Sequence, residues 1–370
     1  MDCKTLCVTA LALTFFLSCD RSGKTDPVGP VDPDQPFRIA VVGDIQAPDQ
    51  GAFKMAREVI LDDLGARKDI EAAFFLGDLS MENTGVLENT SELFKSWDFP
   101  VYAVPGNHDR DGALMGRRSL DTWLRCFGRP DTTFVFKGVR FILMNNVRTG
   151  FEKEGKDYVG GFSESQKKWL DETLHRPFEG RTFFLSHIAL DSCKGKDSLA
   201  VFFSNAGPLM LLNAHTHMVS RSSWQGYETF DVGAPYANQW KSTEGADLMH
   251  CGAPRGFFIL TVDPGADGDE WLKIEFVSAV KKYPSPAYAC VDDSGKLIVN
   301  VYAGAVDGRA TANGSAMSYK KMPDPRTSSR DKDSKHIWVL KNSGFKAGDS
   351  FVLDYVDRHI NFTETLTVDK

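Results

Sequence analysis

From Phe37 to Val104 short apolar runs take turns with amphipathic segments of helical period, and no other feature of the sequence narrows the fold as much. Phe37 to Val42, Ala72 to Leu76 and Val101 to Val104 read as strands, and Ala52 to Leu64 and Leu87 to Trp97 as helices between them. Strands that are apolar on both faces must be covered on both faces, and alternation with helices makes them neighbours in a parallel sheet. Sheets of this kind bind ligands at the carboxyl ends of their strands. A hairpin is expected over Phe134 to Met144 and a helix over Ser163 to Leu174, opened by a Ser-x-x-Gln capping box. Strands are then expected at Thr182 to Leu185, Leu209 to Leu212, Tyr227 to Val232, Gly256 to Val262 and Trp271 to Val277, so the chain shifts from α/β to mostly β. No internal repeat is visible.

Tyr283-Pro284-Ser285-Pro286 marks a boundary at residue 283, beyond which residues 287–370 are read as a small β domain with strands at Leu297 to Tyr302, His336 to Leu340 and Phe351 to Tyr355. Arg326 to Lys335 is read as a polar loop, and nothing in this part suggests catalysis. At the other end, Lys4 precedes an apolar run from Thr5 to Leu17, too short to span a bilayer, which reads as an export signal over residues 1–19. Its end, Phe16-Leu17-Ser18-Cys19, resembles a bacterial lipobox, with Phe16 where leucine is usual; Cys19 would carry lipid and tether the chain to a membrane. Residues 20–36 read as a flexible tether. An extracytoplasmic, membrane-anchored lipoprotein is the expectation, periplasmic or at the cell surface.

Of seven cysteines, Cys126, Cys193, Cys251 and Cys290 would remain beyond Cys19; disulfides are permitted but not implied, and no CxxC pair suggests a thiolate metal site. Any metal chemistry must come from N and O ligands. The formal net charge of −7 offers no broad attraction for nucleic acid, so no nucleic-acid partner is expected.

Five short motifs fall at or just after predicted strand ends: Gly43-Asp44-Ile45-Gln46, Gly77-Asp78, Gly106-Asn107-His108-Asp109, Ser186-His187 and Ala214-His215-Thr216-His217. Each is weak alone, since an Asp after a strand is commonly a turn cap and a lone His a satisfied polar group. In this order they resemble the calcineurin-like metallophosphoesterase superfamily, whose series runs D-x-H, G-D, G-N-H-[DE], H and G-H-x-H. The resemblance covers residues 37 to about 280, with Ser163 to Leu174 similar to the family's Q-x-x-W-L helix. It implies an α/β fold, a four-layer αββα sandwich over residues 37–282, followed by the small C-terminal β domain.

The resemblance also implies two divalent metal ions and hydrolysis of phosphate esters by a bridging hydroxide, as a phosphomonoesterase or phosphodiesterase. One metal would be held by Asp44, Gln46, Asp78 and His217, the other by Asp78, Asn107, His187 and His215, with Asp78 as the bridge. A bridging carboxylate and neutral imidazoles are what a binuclear hydrolase needs to hold two cations about 3.5–4 Å apart. Alternation in an extended H-x-H segment would send both imidazoles to one side. His108 would protonate the leaving-group oxygen, with Asp109 orienting it. The glycines at 43, 77 and 106 permit tight turns and close backbone approach.

Gln46 stands where the family usually has histidine, although some branches carry D-x-Q. A carboxamide oxygen is harder and weaker than imidazole, so the first site should favour Mn or Mg over Zn; Mn is the expected metal, with Fe, Zn, Mg and Ni compatible. A different class of reading follows from the same residue: a catalytically impaired lipoprotein that binds a phosphorylated ligand or glycan, against which the retained His108 argues. After Gly77-Asp78 the chain reads Leu79-Ser80-Met81, unlike the G-D-x-V-D-R-G of serine/threonine phosphatases, and Met81 stands where purple acid phosphatases carry a tyrosine ligand.

Overall fold

The computed structural model describes residues 35–112, 118–151, 155–204, 207, 209–236, 247–327 and 332–369, all within one compact unit, Pro33–Lys370. The export signal, Cys19 and most of the tether lie outside the described residues.

In chain order the strands are β1 (Phe37–Val42), β2 (Ala72–Phe75), β3 (Val101–Ala103), β4 (Thr132–Phe136), β5 (Val139–Leu143), β6 (Val147–Arg148), β7 (Val159–Gly160), β8 (Thr182–Leu185), β9 (Leu209–Asn213), β10 (Val219–Trp224), β11 (Tyr227–Val232), β12 (Gly256–Val262) and β13 (Leu272–Ser278). A first sheet has the order β13-β12-β1-β2-β3 and a second the order β10-β11-β9-β8-β5-β4. Within the first, β1, β2 and β3 run parallel; within the second, β5, β8, β9 and β11 do. Antiparallel strands flank each parallel core: β12 beside β1, β10 beside β11 and β4 beside β5.

Period-two alternation decides which face of each strand meets what. Ile39, Val41 and Phe74 point from the first sheet into a core shared with Phe141, Phe183, Met210 and Leu212 of the second. Phe74 and Phe141 stack there with centroids 4.6 Å apart. The odd-even partners Ala40, Val42, Ala73 and Phe75 face the opposite way, onto Phe53, Leu61, Val86 and Phe94 of the helical layer. That layer holds α1 (Gln50–Ala56), a π-helical segment Arg57–Leu61, α2 (Asp62–Gly65), α3 (Thr84–Lys95) and α4 (Asp121–Phe127). On the far side of the second sheet, Ile142, Phe184 and Leu211 pack on Leu170 and Leu174 of α5 (Glu164–Leu174) and on Leu199 and Phe203 of α6 (Lys196–Phe203). The result is the four-layer αββα sandwich expected.

The capping box of α5 forms as read: Ser163 accepts from the Gln166 amide while Gln166 Oε1 accepts from Ser163 N. Some details differ from the sequence reading, the two-residue strands β6 and β7 among them. The helix expected over Ala52 to Leu64 is interrupted by its π turn. The short helices α4 and α6 had no recognised signal, their apolar periods being brief. Strand β10 was missed because Val219 to Trp224 carries Ser220, Arg221, Ser222 and Ser223, a polar edge pattern.

Beyond residue 283 come β14 (Ala287–Val291), β15 (Leu297–Val301), β16 (Arg309–Ala312), β17 (Ser315–Ala316), β18 (Ser318–Met322), β19 (Ser334–Leu340), β20 (Ser350–Val356) and β21 (Asn361–Thr367), in two four-stranded sheets. The segment read as a loop to Lys335 already enters β19 at Ser334. Leu297, Val299, Trp338, Leu353 and Tyr355 belong to the same apolar cluster as the inter-sheet core, so the two parts are buried against one another.

A buried ionic knot fastens them. Arg221 of β10 donates to Asp357 at 2.7 Å and to Glu228 of β11 at 3.1 Å, and His359 Nε2 lies 2.8 Å from Glu228 Oε2. Burial would raise both carboxyls, but for Asp357 the Arg221 charge, and for Glu228 the His359 bond with the charges of His359 and Arg221, hold them below the ordinary range. Carboxylates with depressed folded values lend stability above their unfolded values and lose it as pH falls through the folded ones. Arg221→Met takes the buried guanidinium away from two carboxylates that keep their other donors, so urea unfolding at pH 7 should show a loss of about 3–5 kcal/mol. That loss should shrink as the pH is lowered below about 4, where the carboxyls protonate.

Candidate metal centre

Each of the five motifs leaves a parallel strand at its carboxyl end: Asp44 and Gln46 after β1, Asp78 after β2, Asn107 and His108 after β3, His187 after β8, and His215 and His217 after β9. The ends of the two sheets meet there. Ala214 N donates to His187 O at 3.0 Å within the second sheet, and the His187 ring crosses to Leu76 O of the first at 2.7 Å. Since a carbonyl only accepts, Nδ1 of His187 carries a proton and Nε2 is the nitrogen that faces the centre.

Two ligand groups result: Asp78, His187 and His215, and Asp44, Asp78 and His217, each with its ligand atoms within 4.8 Å of one another. Asp78 belongs to both. His187 Nε2 lies 3.4 Å from Asp78 Oδ2, 3.1 Å from Asn107 Oδ1 and 3.1 Å from His215 Nδ1. His217 Nε2 lies 3.6 Å from Asp44 Oδ1, and the Gln46 amide 3.4 Å from Asp78 Oδ2. All seven residues expected as metal ligands are therefore gathered in one place.

The residues fit a pair of divalent cations. Asp44 and Asp78 are almost wholly buried, yet Asp44 Oδ1 accepts no hydrogen bond. An anionic oxygen enclosed without a donor is costly unless a cation faces it. The proton distribution of the protein alone carries the same strain. Burial alone would lower His187, but Asp78 and Asp44 push it up to about 9; burial and the His187 charge bring His215 down to about 4. Burial would raise Asp78, which the charge of His187 and a bond to it instead hold well below the usual carboxylate range. The two buried carboxylates thus draw positive charge onto the imidazole between them, the role that a cation would fill.

The local backbone is forced. Gln46, Asp78, His215 and His217 all have left-handed φ, from 47° to 66°, a conformation that non-glycine residues keep only where the surroundings impose it. This corrects one expectation: His215 and His217 do not reach the centre by alternating along an extended strand. They sit in a tight turn between β9 and β10, and Asp44 Oδ2 holds the turn by accepting from His215 N at 3.0 Å. Gly106 shows the same crowding, since a Cβ there would come within 2.0 Å of Asp78 Oδ1 and 2.3 Å of Asp78 N.

His108 lies beside the centre with its backbone N donating to Asp78 Oδ1 at 2.8 Å. Asp109, expected to orient the His108 ring, does something else: its two oxygens accept from Ser80 N and Gly106 N, each at 2.9 Å, bracing the β2 and β3 loops against each other. Burial, then the Asp78 charge, pushes its carboxyl up to about 7. The carboxylate that meets His108 is Glu82, 2.5 Å from Nδ1. Burial alone would lower the His108 pKa; the Glu82 bond and the Asp78 charge raise it above its ordinary value. Arg118 continues the chain, donating to Glu82 at 3.0 Å and to Asp157 at 2.5 Å. Sequence reasoning missed Glu82 and Arg118; an acidic residue four places after Asp78 was the available signal for the first, and none existed for the second. Tyr158 and Tyr236, also missed, set their rings edge-on to His215 and His217 at 5.7 and 5.2 Å.

Paired ligand groups sharing one carboxylate at the meeting of two sheet ends make a candidate divalent-metal centre in an αββα fold. Residues 37–219 match the family described as Calcineurin-like phosphoesterase, and this part of the chain is a domain of that superfamily. The family and the ligand groups together support divalent-metal binding and metal-dependent hydrolysis of a phosphate ester.

No curated protein matches the chain. Among solved structures it is similar to GAP50, the anchor in the inner membrane complex of Plasmodium, at 13% identity over 66% of this chain and 85% of that one, with TM-score 0.41. It is similar to the phosphopantetheinyl hydrolase of Mycobacterium tuberculosis at 15% identity over 56% and 93%, TM-score 0.35. A third is Vps29 complexed with zinc from Entamoeba histolytica, at 14% identity over 66% and 100%, TM-score 0.30.

Gly106→Ala tests the crowding around Asp78. Overpacking of this kind costs about 1–3 kcal/mol, so the variant should still fold, while its bound metal, measured by equilibrium dialysis and elemental analysis, should fall well below that of the wild type.

Proposed function

We propose that this protein hydrolyses phosphate esters with two divalent cations, on the extracytoplasmic side of a membrane to which Cys19 tethers it. The observation that carries the binuclear reading is that Asp78 is a member of both ligand groups. One cation falls to Asp44, Gln46, Asp78 and His217, and the other to Asp78, Asn107, His187 and His215. Bound there, the cations supply Lewis acidity that activates a water and neutralises charge on the phosphoryl group. Gln46 in place of imidazole favours Mn at the first position.

The protein's own residues do the rest. Asp44 and Asp78 present buried anionic oxygens of fixed direction, and the Leu76 carbonyl holds His187 in the tautomer whose Nε2 faces the centre. His108, with Nδ1 on Glu82, turns its other ring nitrogen to the leaving-group oxygen as the proton donor. Glu82 is itself fixed by Arg118, so the acid is oriented by a chain of charged bonds rather than by one loop.

The test is turnover of para-nitrophenyl phosphate and its bis-ester by metal-stripped protein titrated with Mn, Mg, Zn, Fe and Ni. Metal-dependent hydrolysis abolished by Asp78→Asn is the expected result; metal binding without turnover would favour the ligand-binding reading instead. His108→Ala should lower kcat by about 10²–10⁴-fold on alkyl phosphate esters, whose leaving group needs a proton. The loss should be smaller on nitrophenyl esters, whose leaving group departs as the anion. For location, Cys19→Ser should abolish incorporation of labelled fatty acid and release the protein from the membrane fraction.

A further inference from the structure

We infer that Tyr158 is a substrate-binding residue of the same centre, its hydroxyl donating a hydrogen bond to a non-bridging oxygen of the phosphoryl group; this rests on the phosphoesterase reading above. Tyr158 immediately precedes β7, and its ring packs against the apolar cluster of α5, α6 and the outer face of the second sheet. Its hydroxyl emerges at the metal centre, 3.4 Å from His215 Nε2.

The direction of that bond follows from the other side of the imidazole. His215 Nδ1 faces His187 Nε2 and Asp78, inside the ligand group. A nitrogen that serves as a metal ligand offers a lone pair, so the proton of a neutral His215 sits on Nε2 and Nε2–H donates to the tyrosine oxygen. The tyrosine oxygen being the acceptor, its own O–H is directed elsewhere, and a phenol stays protonated across the neutral range.

What surrounds the hydroxyl tells where an acceptor comes from. Asp157 is the preceding residue, and its Oδ2 is engaged by Arg118 at 2.5 Å. Arg118 in turn reaches Glu82, the partner of His108. Tyr158 and His108 thus border the same centre, the first feeling the charges of Asp78 and Asp44 and the second bonded through its backbone N to Asp78 Oδ1. An anion seated on the cations between His108 and His215 would offer the Tyr158 proton an oxygen and His108 the opposite one. Arg118 is engaged by two carboxylates, so a neutral donor at this position adds a directional bond to the phosphate without another charge. The position was not legible as a motif, because Asp157-Tyr158 carries no recognisable pattern.

Tyr158→Phe keeps the ring and its packing and removes only the hydroxyl. At saturating Mn, with bound Mn unchanged by elemental analysis, calorimetric binding of inorganic phosphate should weaken by about tenfold or more, the scale of one hydrogen bond to a charged group. The kcat/KM for the bis-nitrophenyl ester should fall by a similar factor, while the thermal midpoint of the metal-free protein stays within a few degrees. Phosphate affinity and kcat/KM equal to wild type would overturn the inference. So would a variant whose only defect is weaker Mn binding, with phosphate affinity at saturating Mn equal to wild type, which would leave Tyr158 as a support for His215 alone. Wild-type protein that neither binds phosphate nor turns over with any metal would overturn the phosphoesterase reading itself, a result distinct from a wild type and a Tyr158→Phe variant that behave alike.

Discussion

Everything at the centre is arranged around the carboxylate of Asp78. It is nearly inaccessible to solvent, its backbone is left-handed, and it belongs to both ligand groups. Oδ1 accepts from His108 N, while Oδ2 lies within reach of His187 and the Gln46 amide. Its main-chain oxygen accepts from Gln46 N at 2.6 Å. Loops from three adjacent parallel strands are therefore tied to one residue. An isolated anion in that position would be intolerable, and the imidazoles brought over from the second sheet are what make it possible. Two sheets that pack face to face have no intrinsic reason to align their strand ends; shared charge at this point gives them one.

The fold was largely legible because its signals are local. Apolar runs of four to six residues flanked by helical periods announce a parallel sheet, and the motifs mark where each strand stops. The seven ligand candidates were legible for the same reason, each being carried by a short string of fixed spacing. The remainder depends on contacts between distant segments. Glu82 meets His108 because the β2 and β3 loops lie side by side, and Tyr158 meets His215 across the second sheet. Neither pairing leaves a trace in spacing. Asp109 shows the reverse error: adjacency in sequence suggested a partnership with His108, whereas the backbone turns its carboxylate to Ser80 N and Gly106 N. The H-x-H turn was misjudged geometrically, since only the backbone angles reveal that the histidines converge by folding back rather than by alternating.

The π turn at Arg57–Leu61 and the small helices α4 and α6 belong to a second group of missed features, those set by packing. Ile60 and Leu61 are both buried against the first sheet, which a wider helical turn allows within so short a segment. α4 is held by Trp123, wholly enclosed beside Phe127 at 4.5 Å. Tertiary burial, not propensity, decides such elements.

The stretch that matches the family ends at Val219, the first residue of β10. The compact unit extends further, to Lys370. Strand β12, which covers the open edge of β1, comes from residues 256–262, and the arginine two places beyond Val219 pairs with the carboxylates of Asp357 and Glu228. A chain cut at the family boundary would lose β11 and β12 and expose the apolar edges of β9 and β1, and one cut after β13 would leave the buried Arg221 guanidinium without Asp357. The C-terminal sheets share the core that lies between the two sheets, so the hydrolytic centre rests on residues that never approach it.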